Sequence, residues 1–236
     1  WEGCAALPDW MNFPRETKMD LKKIFGVEVG GKSGPGGKPS SANAEAIDLL
    51  YARQLNVAVV AADSIAAANL SFVTHEVFSD PYVLAVPKSI NLSTINSIQD
   101  LAKEERSILK STILFEFGSQ HKKRIDSWFE KNLGDINVLA NTRSYEVALS
   151  MVAAGLGVVV LPALTAVVGA GRVYDVNLYE TKISQRRLVS LTPSQFSKVE
   201  PTKSFIKCLA AAGKKLNLPK IYNIPPILSN AYNGNN

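Results

Sequence analysis

Two short polar turns carry the side chains of this chain that are best suited to chemistry. Each turn precedes a predicted helix, and the first backbone N–H groups of a helix lack partners and favour an anion. Arginine adds the option of a bidentate pair with a carboxylate or phosphate. The pattern predicts binding of a small anion, such as an organic acid or a phosphorylated metabolite. The donors are Ser119, Gln120 and His121 in the first turn and Thr142, Arg143 and Ser144 in the second.

All of these side chains except Gln120 also fit a structural role. The serine and threonine hydroxyls are candidate helix N-caps. His121 fits a surface position in a first helical turn. Arg143 could form a salt bridge to Glu146 or to another nearby acid. The sequence leaves both roles open at every one of these positions.

Three residues from the first part of the chain are further candidates for the site. Ser64 follows a predicted buried strand, at the end where open α/β sheets place ligands. Lys32 and Ser33 lie in residues 30–41, a segment rich in glycine, proline and serine that is either a flexible loop or an anion-cradling loop. A Walker loop is rejected there, because the upstream glycine is not at the required spacing.

The sequence holds no recognisable catalytic or metal-binding constellation. It lacks a Gly-x-Ser-x-Gly elbow and a paired-histidine metal motif. Cys4 and Cys208 lie far apart and match no redox or metal spacing, and His75 and His121 are the two histidines. We expect no enzymatic activity, no cofactor and no metal.

Composition and charge predict a globular domain. Apolar residues make up 46% of the chain and charged residues 20%, and no apolar run is long enough to cross a membrane. The first residues lack the features of a signal peptide, so a cytoplasmic setting is expected. The formal charge is +5, and residues 182–220 hold nine basic residues and one acid. That segment either touches phosphate or an acidic partner, or forms a solvated helix face.

Hydrophobic periodicity predicts an α/β fold with mostly parallel sheets. The clearest unit is residues 144–162, an amphipathic helix that ends at Gly155 and Gly157, in a turn open to positive φ, and leads into a buried parallel strand. Other predicted helices are 9–25, 42–54, 97–101, 121–132, 163–168 and 202–216. Other predicted strands are 26–29, 56–61, 72–78, 82–86, 113–117, 137–140, 173–178 and 187–191, and residues 219–236 are predicted to be irregular.

Several stretches, in order, resemble the effector-binding domain of LysR-type transcriptional regulators. Residues 80–88 read Asp-Pro-Tyr-Val-Leu-Ala-Val-Pro-Lys, and residues 97–102 read Ser-Ile-Gln-Asp-Leu-Ala. Residues 118–129 join a glycine turn to Arg-Ile-Asp-Ser-Trp-Phe, and residues 144–162 contain Val-Ala-Ala-Gly-Leu-Gly-Val. The resemblance runs from about residue 7 to residue 216.

This resemblance implies a type II periplasmic-binding-protein fold, with two Rossmann-like α/β lobes around a central cleft, joined by two crossover segments. Lobe I would comprise residues 1–80 and 168–236, and lobe II residues 81–167. A small-molecule effector would bind in the cleft. Promoter DNA would be contacted through an N-terminal winged helix-turn-helix that this chain lacks. A homodimer or homotetramer is expected, with no membrane partner.

Two other functions stay open at this point. A transport-type solute-binding protein would share the fold, and its precursor would begin with a signal peptide. Residues 141–143, Asn-Thr-Arg, also resemble the Thr-Arg-Phe motif of prephenate dehydratase, although Ser144 stands where that motif has phenylalanine.

Overall fold

The apolar periodicities form helices and strands within residues 42–65, 72–115, 119–168 and 172–228, the part of the chain that the computed structural model describes. The predicted helix 9–25, strand 26–29 and glycine-rich segment lie outside these residues. The described helices are α1 (Ala42–Tyr51), α2 (Lys103–Lys110), α3 (Ser119–Leu133), α4 (Tyr145–Ala153) and α5 (Thr202–Lys214). The described strands are β1 (Ala58–Ala61), β2 (Phe72–Asp80), β3 (Tyr82–Pro87), β4 (Ser111–Phe115), β5 (Asn137–Thr142), β6 (Val159–Pro162), β7 (Val167–Val168), β8 (Arg172–Val173), β9 (Val176–Glu180) and β10 (Arg186–Pro193).

The chain divides into two units. Unit 1 comprises residues 1–79 and 186–216, and unit 2 comprises residues 80–185 and 217–236. Residues 168–185 and the C-terminal tail from residue 217 therefore group with unit 2. The lobe boundaries implied by the family resemblance stay a prediction.

Unit 1 contains a three-stranded sheet in the order β1-β10-β2, with β1 antiparallel to β10. One core cluster joins Leu50 of α1 to Val60 and Leu191 in the sheet, and all three are 1% exposed. A second cluster packs Phe205 and Ile206 of α5 against Val57. Burial of these apolar side chains holds α1 against the sheet and α5 against Val57, the residue before β1.

Unit 2 contains both antiparallel and parallel strand pairs. Strand β3 lies between β6 and β9 and is antiparallel to both, whereas β4 and β5 are parallel. The Val158 N–H donates to the Ser111 carbonyl at 2.8 Å, and the Ile113 N–H donates to the Val158 carbonyl at 3.0 Å, which joins β4 to the start of β6. The prediction of mostly parallel sheets is wrong for the described strands, because a continuously apolar run fits a buried strand of either direction.

Alternate residues of β3 face two different core layers. Leu84 and Val86 belong to a cluster with Trp128 and Phe129 of α3, and Val83 belongs to a cluster on the opposite face. That second cluster holds the buried face of α4, namely Ala148, Leu149 and Val152. Unit 2 is therefore a sheet with helices on both faces, which fixes the positions at which α3 and α4 begin.

The predicted helix-turn-strand unit is present, but its two glycines serve different purposes. Gly155 has a φ of 78°, the left-handed conformation expected after a helix. Gly157 has no positive φ, so that part of the prediction is wrong. A Cβ on Gly157 would collide with the Ser111 carbonyl oxygen, so glycine is required there for close approach of the backbones.

Helix α2 differs most from the sequence prediction. The predicted helix 97–101 is a single 3-10 turn at Ile98–Asp100, and the α-helix follows it at Lys103–Lys110. The Glu105 carboxylate accepts a hydrogen bond from the Ala102 N–H at 2.9 Å and caps that helix. This helix was missed because its sequence is mostly charged and has Leu109 as its buried anchor.

Candidate functional site

Two parallel strands of unit 2 end side by side. In the register of β4 and β5, Phe115 lies opposite Thr142, and both are the last residues of their strands. Helix α3 begins at Ser119 and helix α4 at Tyr145, each within four residues of its strand. The Phe115 and Tyr145 rings lie 4.4 Å apart, which ties the start of α4 to the end of β4. The two helix starts therefore lie at the same edge of the sheet.

The start of α3 offers backbone N–H donors. Its first turn contains no acidic residue, and the exposed Lys123 follows that turn. The predicted site residues Ser119, Gln120 and His121 lie in this turn. The structure describes their helical backbone and leaves their side chains outside the described part. The backbone alone favours an anion at this helix start.

The start of α4 is a capped turn whose hydroxyl groups bond within it. The Ser144 N–H donates to Thr142 Oγ1 at 3.1 Å, and Ser144 Oγ accepts from the Val147 N–H at 3.3 Å. Ser144 is thus the N-cap of α4, one of the two roles that the sequence left open. Arg143 lies between these residues with its side chain exposed.

Glu146, which the sequence offered only as a salt-bridge partner for Arg143, adds a negative charge at the start of α4. Ser144 Oγ donates to Glu146 Oε2 at 2.5 Å, which favours the ionised carboxylate and lowers the pKa of Glu146. This carboxylate lies in the first turn of α4, where it complements the helix dipole. The signal was visible in the sequence, because an acid two residues after a serine N-cap belongs to the first helical turn.

The other predicted site residues lie elsewhere. Ser64 ends the 3-10 turn Ala62–Ser64 after β1 in unit 1, and its side chain is not described. Lys32 and Ser33 lie outside the described residues. The structure therefore places residues 119–121 and 142–144 at one edge of unit 2 and does not test whether the unit 1 candidates join them.

Other types of site find little support in the described ranges. Within them, no group of three or more His, Cys, Asp or Glu side chains could hold a metal ion. Cys208 is a free, exposed thiol on α5. None of the described helices is both long and apolar enough to cross a membrane.

The sequence profile of the LysR substrate binding domain matches residues 40–214, more than half of the chain. A LysR family transcriptional regulator from Pseudomonas aeruginosa superposes with a TM-score of 0.54 at 16% identity, over 74% of this chain and 62% of that one. This chain thus spans less than two thirds of that regulator. No curated protein sequence matches the chain.

Two ligand-bound structures share the fold. The regulatory domain of CcmR from Synechocystis, in complex with 2-PG, gives a TM-score of 0.51 at 16% identity, covering 74% of this chain and 81% of that one. The effector binding domain of QuiR, in complex with shikimate, gives 0.50 at 16% identity, covering 76% and 81%. The profile match shows that this chain belongs to the LysR substrate-binding domain family, and its fold is the predicted type II periplasmic-binding-protein-like α/β fold.

Proposed function

We propose that this chain is the effector-binding domain of a LysR-type transcriptional regulator and that it binds a small anionic metabolite. The profile match supports the regulator family. The CcmR and QuiR domains, solved with 2-PG and with shikimate, support the binding of a small molecule by this fold. The effector would control contact with promoter DNA through an N-terminal domain, in a cytoplasmic homodimer or homotetramer.

The shared edge of β4 and β5 is the observation that carries the choice of an anion. The opposition of Phe115 and Thr142 brings the starts of α3 and α4 to one edge of the sheet. Helix starts supply unpaired N–H groups and partial positive charge. Arg143, exposed on the turn between β5 and α4, adds a full positive charge at the same edge.

The two helix starts are not equivalent for a ligand. At α4 the Ser144 hydroxyl and the Glu146 carboxylate already complement the backbone donors. At α3 the first turn lacks an acid. We therefore expect the anionic group of the effector to lie nearer to α3, with Arg143 reaching it from the neighbouring turn. Contributions from Lys32, Ser33 and Ser64, and the position of this edge in a cleft between lobes, stay predictions.

A screen followed by calorimetry tests this proposal. Thermal shifts against a panel of organic acids and phosphorylated metabolites identify a ligand, and its affinity is then measured by isothermal titration. Arg143→Ala should weaken binding by at least about 1.5 kcal/mol, the scale of a charge-assisted hydrogen bond. Lys110→Ala is the control, because it removes an exposed positive charge at the end of α2. An unchanged affinity in the Arg143 variant would remove this residue from the site.

Two further measurements separate the alternatives. Depletion of prephenate by the purified chain would contradict the regulator proposal and favour the dehydratase-like enzyme. The residues encoded upstream of Trp1 separate a regulator, which requires a helix-turn-helix, from a transport protein, which requires a signal peptide.

A further inference from the structure

The C-terminal tail lies on the outer edge of β9. The Tyr222 N–H donates to the Leu178 carbonyl at 2.8 Å, and the Glu180 N–H donates to the Tyr222 carbonyl at 3.0 Å. This is a parallel bridge between Tyr222 and Tyr179. The two rings lie 5.4 Å apart, and the Lys220 ammonium lies 4.7 Å from the Tyr222 ring centroid. The tail thus pairs with the sheet edge at this single bridge, with the hydrogen bonds of a parallel pair.

Apolar side chains anchor the tail after this bridge. Leu228 is fully buried in the core layer that also holds Trp128 and Phe129. Ile224 and Ile227 pack on the same layer, and the Ile227 N–H donates to the Ile95 carbonyl at 2.8 Å. Residues 226–228 are helical, and the Leu228 N–H donates to the Pro225 carbonyl at 2.9 Å. The tail therefore binds through main-chain pairing at Tyr222 and through side chains that occupy an apolar surface, the two means by which a peptide is recognised at a sheet edge.

The tail lies beyond the region matched by the family profile and is joined to it by an exposed linker. The family profile ends at residue 214, the last residue of α5, so the tail lies outside the matched region. Residues 214–218 are exposed. The contacts of Tyr222, Ile227 and Leu228 join the tail to unit 2, and none of them involves this linker. The surface under the tail is accordingly built from residues 80–185 and is occupied by a segment joined through an exposed linker.

We propose that the outer edge of β9 and the adjoining apolar surface form a peptide-binding site, which the tail occupies in this chain. The site would also accept a separate peptide of the same chemistry, paired with β9 at one residue and helical at the residues that follow. Such a peptide has an aromatic residue at the bridge, as at Tyr222, and aliphatic residues two, five and six positions later, as at Ile224, Ile227 and Leu228. This inference does not depend on effector binding and goes beyond the proposed function.

A cut-and-exchange experiment tests the site in the full chain. A protease recognition sequence is inserted between Leu216 and Asn217, within the exposed linker, and the folded protein is cut there. A fluorescent peptide of residues 217–228 is then added in excess, and uptake is followed by anisotropy. The cut chain should take up the peptide. The uncut chain should bind it at least about 100-fold more weakly, because its attached tail competes at a high effective concentration.

Variants of the peptide, rather than of the chain, separate recognition from folding. Methylation of the Tyr222 nitrogen removes the donor to Leu178 and should weaken binding at least about tenfold. Methylation of the Asn223 nitrogen is the matched control, because alternate N–H groups of a strand point away from its partner. Leu228→Asp should abolish binding. Failure of the cut chain to take up the parent peptide, or equal binding of all four peptides, would overturn the proposal.

Discussion

Replacing Gly157 by alanine should destabilise unit 2 through a single steric contact. The added Cβ would overlap the Ser111 carbonyl oxygen and approach the Ser111 carbonyl carbon to 3.1 Å. Both atoms belong to backbone, so neither can move aside as a flexible side chain would. The strain is relieved by moving the start of β6 away from β4, which breaks the 2.8 Å hydrogen bond from the Val158 N–H to Ser111.

The magnitude follows from that broken bond. A backbone hydrogen bond contributes about 0.5–1.5 kcal/mol net, and a buried polar group left without a partner costs about 1–3 kcal/mol. Val158 is fully buried, so water does not replace the lost partner of its N–H. The free energy of unfolding should therefore fall by about 2–4 kcal/mol. For a chain of this size that corresponds to a fall in Tm of about 5–15 °C.

Gly155 supplies matched controls from the same turn. A Cβ there meets no atom within 4 Å, but the φ of 78° disfavours other residues. Gly155→Ala should cost about 1 kcal/mol, and Gly155→Asn less, since asparagine tolerates the left-handed region. Gly157→Asn should be at least as damaging as Gly157→Ala. Chemical denaturation measures the free energy of unfolding of the four variants. If Gly157→Ala lowers it no more than Gly155→Ala does, the steric reasoning is refuted.

Three further variants test contacts at the start of α4 and near the end of α5. Ser144→Ala should lower the free energy of unfolding by about 1 kcal/mol at pH 7 through loss of the cap. Because the folded state lowers the pKa of Glu146, the stability that its carboxylate adds is present above the unfolded value near 4.5 and is lost as the pH falls below it. Glu146→Gln should therefore flatten the fall in stability between pH 5 and pH 3, and an unchanged pH profile would contradict this. Gly213→Ala would raise stability by about 1 kcal/mol in an open helix, but its Cβ meets the Val77 carbonyl, so denaturation should show a loss of about 1–3 kcal/mol.

Local patterns predicted the elements better than they predicted the pairing of those elements. The helix-turn-strand unit at residues 144–162 was located because its apolar pattern and Ser144 cap are local signals, and the helix, the cap and the strand are confirmed. The face expected to pack was wrong, because Val147 is 50% exposed and the buried residues are Ala148, Leu149 and Val152. The antiparallel partner of β6 is β3, far away in sequence, and a continuous apolar run does not encode that direction. Residues 217–228 have neither helical nor strand periodicity, so the burial of Leu228 and the packing of Ile224 and Ile227 on the core were not predictable from pattern alone.

The candidate site is less completely described by the sequence. The two polar turns were selected for their donor side chains, and the parallel pairing of β4 with β5, which brings them to one edge of the sheet, was not predicted. That residues 119–121 and 142–144 bind a ligand stays a prediction. Glu146 was considered only as a salt-bridge partner of Arg143; its place in the first turn of α4 was readable from the spacing, whereas its 2.5 Å hydrogen bond from Ser144 Oγ was not. Such a contact depends on side-chain geometry, which spacing along the chain does not determine.

The pairing of Tyr222 with β9 bears on where this folding unit ends. A sequence profile records what relatives share, and here it stops at residue 214. A protein fragment trimmed to that boundary would lose the buried Leu228 and leave the Leu178 carbonyl and the Glu180 N–H without their partners. Such an open strand edge invites pairing between chains and aggregation. For expression, fusion or crystallisation of this domain, the C-terminal boundary should lie beyond Leu228.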